Sequence, residues 1–387
     1  MRVMPCCMRG LLPLLAALLT CAPVSPPPSR PTQEMAAALS ALEQKVCLTR
    51  GVRTNAPADQ CEPSVDRATY LEPLQDVFLA APPIFKAYLC SFDRIYIDYH
   101  SAWNANFFVL PDSQSGREFR SIGIRRGVLE NRVRYADWAT AWTQHWWTGG
   151  AIDHPVSDSS LPHVEIESRL PGPSGILFHL MAHEIAHALA YDYGMYKRPM
   201  AKPFGPGEFG FLSWVSPQWQ DSSGVVHLSL AREPALEAVR RLDFNGNLDA
   251  RLAMLRSAEQ QGRLFDPGAD PVAGWTPAPR DGIATFLDRL DHSSFTTVFS
   301  TWHPEDDWTE SFVIMMLPAI ANRFDIVSPQ GKPVRVLQKA ADNSSAFAPK
   351  RRFLATTIDW ALADFRNRLV TSPSACMAVA LAEAGRP

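Results

Sequence analysis

The chain has 387 residues, 46% of them hydrophobic and 20% charged, with 37 basic against 40 acidic side chains and a formal net charge of −3. A chain this long can bury a full core unaided, and so even a charge balance excludes a nucleic-acid partner held by bulk electrostatics. After the N-terminal leader, no segment reaches membrane-spanning length without charges or prolines.

The leader, "MRVMPCCMRGLLPLLAALLTC", sets Arg2 and Arg9 before an apolar run from Leu11 to Leu19, the form of a secretory signal peptide over residues 1–21. Cleavage near Ala22 would release an exported protein, periplasmic or extracellular. Read instead as a lipoprotein box, "LLTC" would leave Cys21 as the N-terminal lipid anchor of an outer-membrane protein. Residues 22–33 form a proline-rich linker, and residues 34–387 read as one domain. Its first element is helical, "EMAAALSALEQKV" from Glu34, and strand patterns follow at 94–100, 119–129 and 163–170.

Between the last two strands Trp138, Trp142 and Trp146 recur every four residues on a helix. A stripe at that spacing is core packing first, and a stacking surface for sugar rings or a peptide second. A long helix is expected over 174–192, capped by Ser174, and then a loop-like stretch over 197–219. Helical patterns return at 232–243, 250–262, 282–291, 306–321 and 353–371, with a hairpin at 325–337 around "PQGK". A strand-rich front and a helix-rich back argue an α+β fold.

Setting aside the leader cysteines, Cys47, Cys61, Cys90 and Cys376 remain, which in an oxidising compartment read as two disulfides. Proximity favours Cys47 with Cys61, leaving Cys90 to join Cys376.

The long helix carries the chemistry. Residues four apart lie one turn apart on the same face, so His183 and His187 of "HEIAH" can hold one cation between them. Glu184 sits at the edge of that face, where a carboxylate can act as base toward a water. His179 lies a turn earlier and is expected to be structural or to support the pair.

A zinc site needs a third protein ligand. Ala190 and Tyr193 stand where a metzincin would have Gly and His, which excludes that class. Glu208 lies at a thermolysin-like distance, but "GPGEFG" cannot be a regular helix; Glu233 and Glu237 fall one turn apart in "REPALEAVRR". The strongest candidate segment is 299–317, where Pro304 can begin a helix with Asp306 and Glu310 one turn apart.

With these two motifs, over roughly residues 175–317, the chain resembles the gluzincin-type zinc metallopeptidases related to the catalytic domain of anthrax lethal factor. "PEDDWTESF" aligns with their second motif, E-D-F-A-E followed by a small residue and Phe. The resemblance implies a zincin-like fold: a small mixed sheet packed on the active-site helix, followed by a mostly helical C-terminal part. It makes Asp306 the third zinc ligand and Glu310 the support of a histidine ligand. Aspartate is one methylene shorter than the family's glutamate, so Glu305, Glu310 and Glu233 stay open as the ligand.

The expected activity is therefore peptide-bond hydrolysis of a peptide or protein substrate, with Zn²⁺ held by His183, His187 and a carboxylate, and Glu184 as general base. Tyr191, Tyr193 and His303 are candidate oxyanion donors. "DFNGNLD" from Asp243 to Asp249 invites a calcium reading, but Gly246 and Met254 occupy the wrong loop positions, and a turn is expected. The rival functions are an exported zinc-binding scaffold without turnover and a cell-wall amidase or endopeptidase using the same site.

Overall fold

Residues 33–49, 61–62, 66–98, 105–111, 118–149, 155–192, 215–220, 226–230, 235–243, 248–260, 280–301, 303–368 and 374–384 are described in the computed structural model of the chain. The leader with Cys21, linker residues 22–32, Tyr193, Glu208, Glu233 and the centre of "DFNGNLD" lie outside them.

The first half of the chain holds α1 (Gln33–Glu43), β1 (Val46–Thr49), α2 (Glu72–Ala80), α3 (Pro83–Ser91), β2 (Arg94–Asp98), β3 (Ala105–Pro111) and β4 (Glu118–Arg125). After them come α4 (Arg126–Glu130), α5 (Tyr135–Thr148), β5 (His163–Ser168) and α6 (Gly172–Asp192). The second half holds β6 (Val215–Gln220), β7 (Val226–Leu230), α7 (Ala235–Arg240), α8 (Leu248–Gln260), α9 (Ile283–Asp291) and α10 (Pro304–Met316). It closes with β8 (Ala321–Val327), β9 (Pro333–Arg335), α11 (Val336–Ala341), α12 (Ala348–Arg368) and α13 (Ala375–Ala384).

The fold is α+β, with a four-stranded sheet ordered β1-β2-β4-β3 in which the first three strands run parallel and β3 is an antiparallel edge. Ile95, Ile97, Ile122 and Ile124 alternate along β2 and β4 and are buried, as a pleat facing a core requires. Parallel neighbours need a crossover, and α2 and α3 lie on the one between β1 and β2. The sequence pattern shows none of α2, α3, β1 or β3. It also carries α1 through Val46, which here begins β1, and extends β4 to 129. Pairing stops at Arg125 opposite Asp98, the last residue of β2, so the next residues satisfy their own backbone groups as α4.

Two further differences have local causes. The expected loop at 197–219 ends in a strand, because 215–220 pairs antiparallel with 226–230, with an irregularity between Pro217 and Trp219 where proline offers no donor. The helix expected to reach 321 stops at Met316, since Pro318 permits only a short 3₁₀ turn. The hairpin at 325–337 forms as β8 and β9, turning at Gly331 with φ +80°.

A second sheet, β5-β8-β9, sets the two motif helices side by side. The C-terminal end of β5 pairs with the start of β8, Ser168 opposite Ala321. Helix α6 leaves from the one end and α10 arrives at the other, so they run antiparallel. In that arrangement His183 faces Glu310 and His187 faces Glu305, one turn nearer the start of α10.

Both expected disulfides form, Cys47–Cys61 and Cys90–Cys376, with Cα separations of 4.9 and 5.6 Å. The second ties α3 to α13, and Lys86 Nζ adds a 2.6 Å ion pair to Glu383 on the same helix. Among the described residues, no helix is long and apolar enough to cross a membrane.

Cys90–Cys376 spans 286 residues, and closing so large a loop restricts the unfolded chain by several kcal/mol. Replacing both cysteines by serine should lower unfolding free energy by about 2–5 kcal/mol, read as a lower denaturation midpoint in urea.

Candidate metal centre

Helix α6 is buried on nearly every side, packed by α2, α3, α4, α5, α10 and the strands β3 and β4. It starts two residues before the expected cap. Ser174 lies inside it, and its hydroxyl donates instead to Asp76 Oδ2 at 2.8 Å. Gly175 meets the Tyr135 ring: a Cβ there would come within 2.9 Å of that side chain, so only glycine lets α5 approach this closely. At the far end Asp192 sits where the helix dipole disfavours an acid, and Arg120 Nη2 and the Tyr88 hydroxyl, each 3.0 Å away, compensate it.

His183, Glu184 and His187 present ligand atoms that all lie within 4.8 Å of one another, a group that could hold a metal ion. The two imidazole centroids are 4.9 Å apart at 69°. Each ring is turned by a carboxylate of α10. His183 Nδ1 lies 3.2 Å from Glu310 Oε1, and His187 Nδ1 lies 2.6 Å from Glu305 Oε1. A carboxylate at Nδ1 keeps the proton on that nitrogen and leaves the lone pair of the neutral ring on Nε2, the tautomer a cation requires.

Helix α10 begins at Pro304 as expected. His303 is its cap, its Nδ1 accepting the backbone N–H of Glu305 at 3.2 Å. The indole N–H of Trp308 donates to the carbonyl of Ala186 at 2.8 Å, fixing the two helices at the level of the histidines. Glu310 is held from its other side by the Thr297 hydroxyl at 2.8 Å, and His179 Nε2 lies 4.0 Å from its Oε1. The hydroxyl of Tyr135 binds His179 Nδ1 at 2.8 Å, so His179 is a buried support of Glu310 and points away from a direct ligand role.

The cluster is acidic, and its carboxylates are buried. Glu184, Glu305, Asp306, Asp307 and Glu310 are each at most 9% exposed. Burial raises the Glu184 pKa, as suits a proton acceptor, and the backbone of Phe107 hydrogen-bonds the carboxylate. Burial alone would lower His187, but Glu305, aided by Glu184 and Asp306, outweighs it and lifts the imidazole to about 9. Burial likewise works to raise Glu310, but the His183 hydrogen bond and the His179 and His183 charges prevail and lower it. Burial takes Asp306 well above the carboxylate range, with Glu305 adding to it. Asp307 is answered by the buried ammonium of Lys350.

Asp306 is thus placed on the helix facing the histidines, outside the compact group of three, with Oδ2 buried and without a hydrogen-bond partner. A buried carboxylate oxygen so placed, in an acidic pocket with two imidazoles, fits a divalent cation as its missing partner. Glu305 and Glu310, both open as ligands from the sequence, are instead committed to the two Nδ1 atoms. The Tyr191 hydroxyl donates to Glu118 at 2.6 Å, whereas His303, whose Nδ1 accepts the cap hydrogen bond, carries its ring proton on Nε2. The described carboxylates of "DFNGNLD" both meet arginines, Asp243 with Arg251 and Asp249 with Arg240.

Sequence reasoning missed Thr297, Tyr135 and the bridging role of Glu305. Glu305 abuts the motif and could have been suspected; Tyr135 is 44 residues from its partner and carries no local signal. In comparisons with known proteins, no family model, no curated protein and no solved structure matches the chain.

Two outcomes test this geometry. Glu310→Gln should weaken Zn²⁺ affinity about 10–100-fold in competition with a chromophoric chelator, since the group that orients His183 is lost. In the metal-free protein His187 holds its extra proton up to pH about 9, and a cation must displace it. Affinity should therefore rise with pH, about tenfold per unit between pH 6 and 8 from this group, measured by the same competition.

Proposed function

We propose that the protein is an exported zinc metallopeptidase of zincin type. The carrying observation is the pair of imidazoles on one helix, each with Nδ1 on a buried α10 carboxylate and with Glu184 between them. Two disulfides among the described residues support the exported reading.

His183 and His187 would hold the zinc through Nε2, and Asp306 would supply the third ligand through its unpartnered oxygen. When bound, zinc supplies Lewis acidity, which brings a water toward ionisation at neutral pH and polarises a carbonyl. Glu184, its pKa raised by burial, takes the proton from the attacking water and delivers it to the leaving amine. Glu305 and Glu310 keep the imidazoles in the correct tautomer, and the dry surroundings strengthen each of these charges. His179 and Tyr135 hold Glu310 in place from behind.

A second reading, a zinc-binding scaffold without turnover, is favoured by one feature, the position of Asp306 outside the compact group. The two separate on one experiment. Glu184→Gln should retain one zinc per chain and lose peptide hydrolysis by at least about 100-fold, the contribution of a general base. Zinc-loaded wild type that cleaves no member of a mixed peptide library would remove the peptidase and leave the scaffold.

A further inference from the structure

The tryptophan stripe of α5 divides into two kinds of residue. Trp138 and Trp146 are 3% and 4% exposed and belong to the core. Trp142, between them, is only half-buried. Its ring lies parallel to Trp138 at 6.1 Å and meets Phe299 edge-on at 5.2 Å. Phe299 is half-buried as well, and its ring centre is 5.7 Å from that of His183, with 32° between the planes. A continuous aromatic surface therefore runs from partly open positions to the imidazole of the metal group.

This surface is rigid. Phe299 opens a short 3₁₀ turn, Phe299–Thr301, in which Ser300 N donates to Thr297 Oγ1 and the Ser300 hydroxyl returns to Thr297 O at 2.7 Å. Thr297 is the residue that donates to Glu310, so the turn carrying Phe299 and the carboxylate orienting His183 are one hydrogen-bonded unit. On the other side, Trp142 rests on Trp138, whose ring also meets His179 at 5.1 Å. Successive substrate residues are ~3.8 Å apart at Cα. With a carbonyl at the metal group, the side chain of an adjoining residue can reach a ring 5.7 Å from His183. Partly exposed aromatic rings prefer apolar or aromatic company there.

We propose that Trp142 and Phe299 form an apolar subsite that takes an aromatic or large aliphatic side chain of the peptide residue flanking the scissile bond. The proposal rests on the peptidase reading and adds its substrate class.

The test uses binding, so that it does not depend on turnover. Phenylalanine hydroxamate and alanine hydroxamate share a metal-binding group and differ by one phenyl ring. On the zinc-loaded full chain, calorimetry should show the first binding about 10-fold more tightly, as partial burial of a ring implies. Trp142→Ala and Phe299→Ala should each reduce that ratio below about 3-fold with zinc stoichiometry unchanged, the loss falling on the phenylalanine ligand. Should Trp142→Ala fail to fold by circular dichroism, Phe299→Ala decides alone. Equal affinities in the wild type, no binding of either hydroxamate, or a ratio unaffected in the folded variants would overturn the subsite. Peptide cleavage with no hydroxamate preference removes the subsite and leaves the peptidase. A clear preference without cleavage of any peptide removes the peptidase and leaves an apolar ligand site beside the metal.

Discussion

The candidate site depends on the contact between the two imidazoles of α6 and the carboxylates of α10. Glu310 meets His183 and Glu305 meets His187, in both cases at Nδ1 and with the carboxylate buried. Removing one partner of such a buried pair leaves the other charge or dipole unanswered, at a cost of about 3–5 kcal/mol. The same contact sets which ring nitrogen faces outward. Stability of the helix pair and competence to hold a cation thus come from the same atoms.

Around that contact the molecule supplies alignment and countercharge. Antiparallel pairing of β5 with β8 determines which turn of α6 lies opposite which turn of α10. Trp308 fastens the level through a main-chain carbonyl, and Lys350 neutralises Asp307 so that the excess negative charge falls on the side of Asp306 and Glu184. The cluster gathers five buried carboxylates around two imidazoles, and burial, with the Glu305 charge adding to it, raises the pKa values of Glu184 and Asp306. A protein interior tolerates such an imbalance when a cation completes it.

Aromatic packing connects the site to the rest of the core. Trp138 touches His179, Phe299 touches His183, and Gly175 makes room for Tyr135 to reach His179. The tryptophan stripe, read from spacing as core packing first, is core at Trp138 and Trp146. Its outer members are buried while Trp142 stays half open, a difference that spacing along a helix cannot express because it depends on what the neighbouring elements cover.

What the sequence by itself determined is the chemistry confined to one element: a 3.6-residue period obliges "HEIAH" to put two imidazoles on one face, and Pro304 obliges a helix to begin before Asp306. The cysteine pairing was legible as well, because proximity along the chain joins Cys47 to Cys61 and leaves Cys90 for Cys376. The crossover helices α2 and α3 and the strands β1 and β3 were not, since their short apolar runs satisfy helix and strand patterns alike until a sheet claims them. Nor were the assignments of Glu305 and Glu310 to particular nitrogens, or the seclusion of Asp306, legible. Those depend on the register of β5 against β8, a contact between residues more than 150 positions apart. Local periodicity tells a residue which way to face along its own helix, and only tertiary packing decides what it meets there.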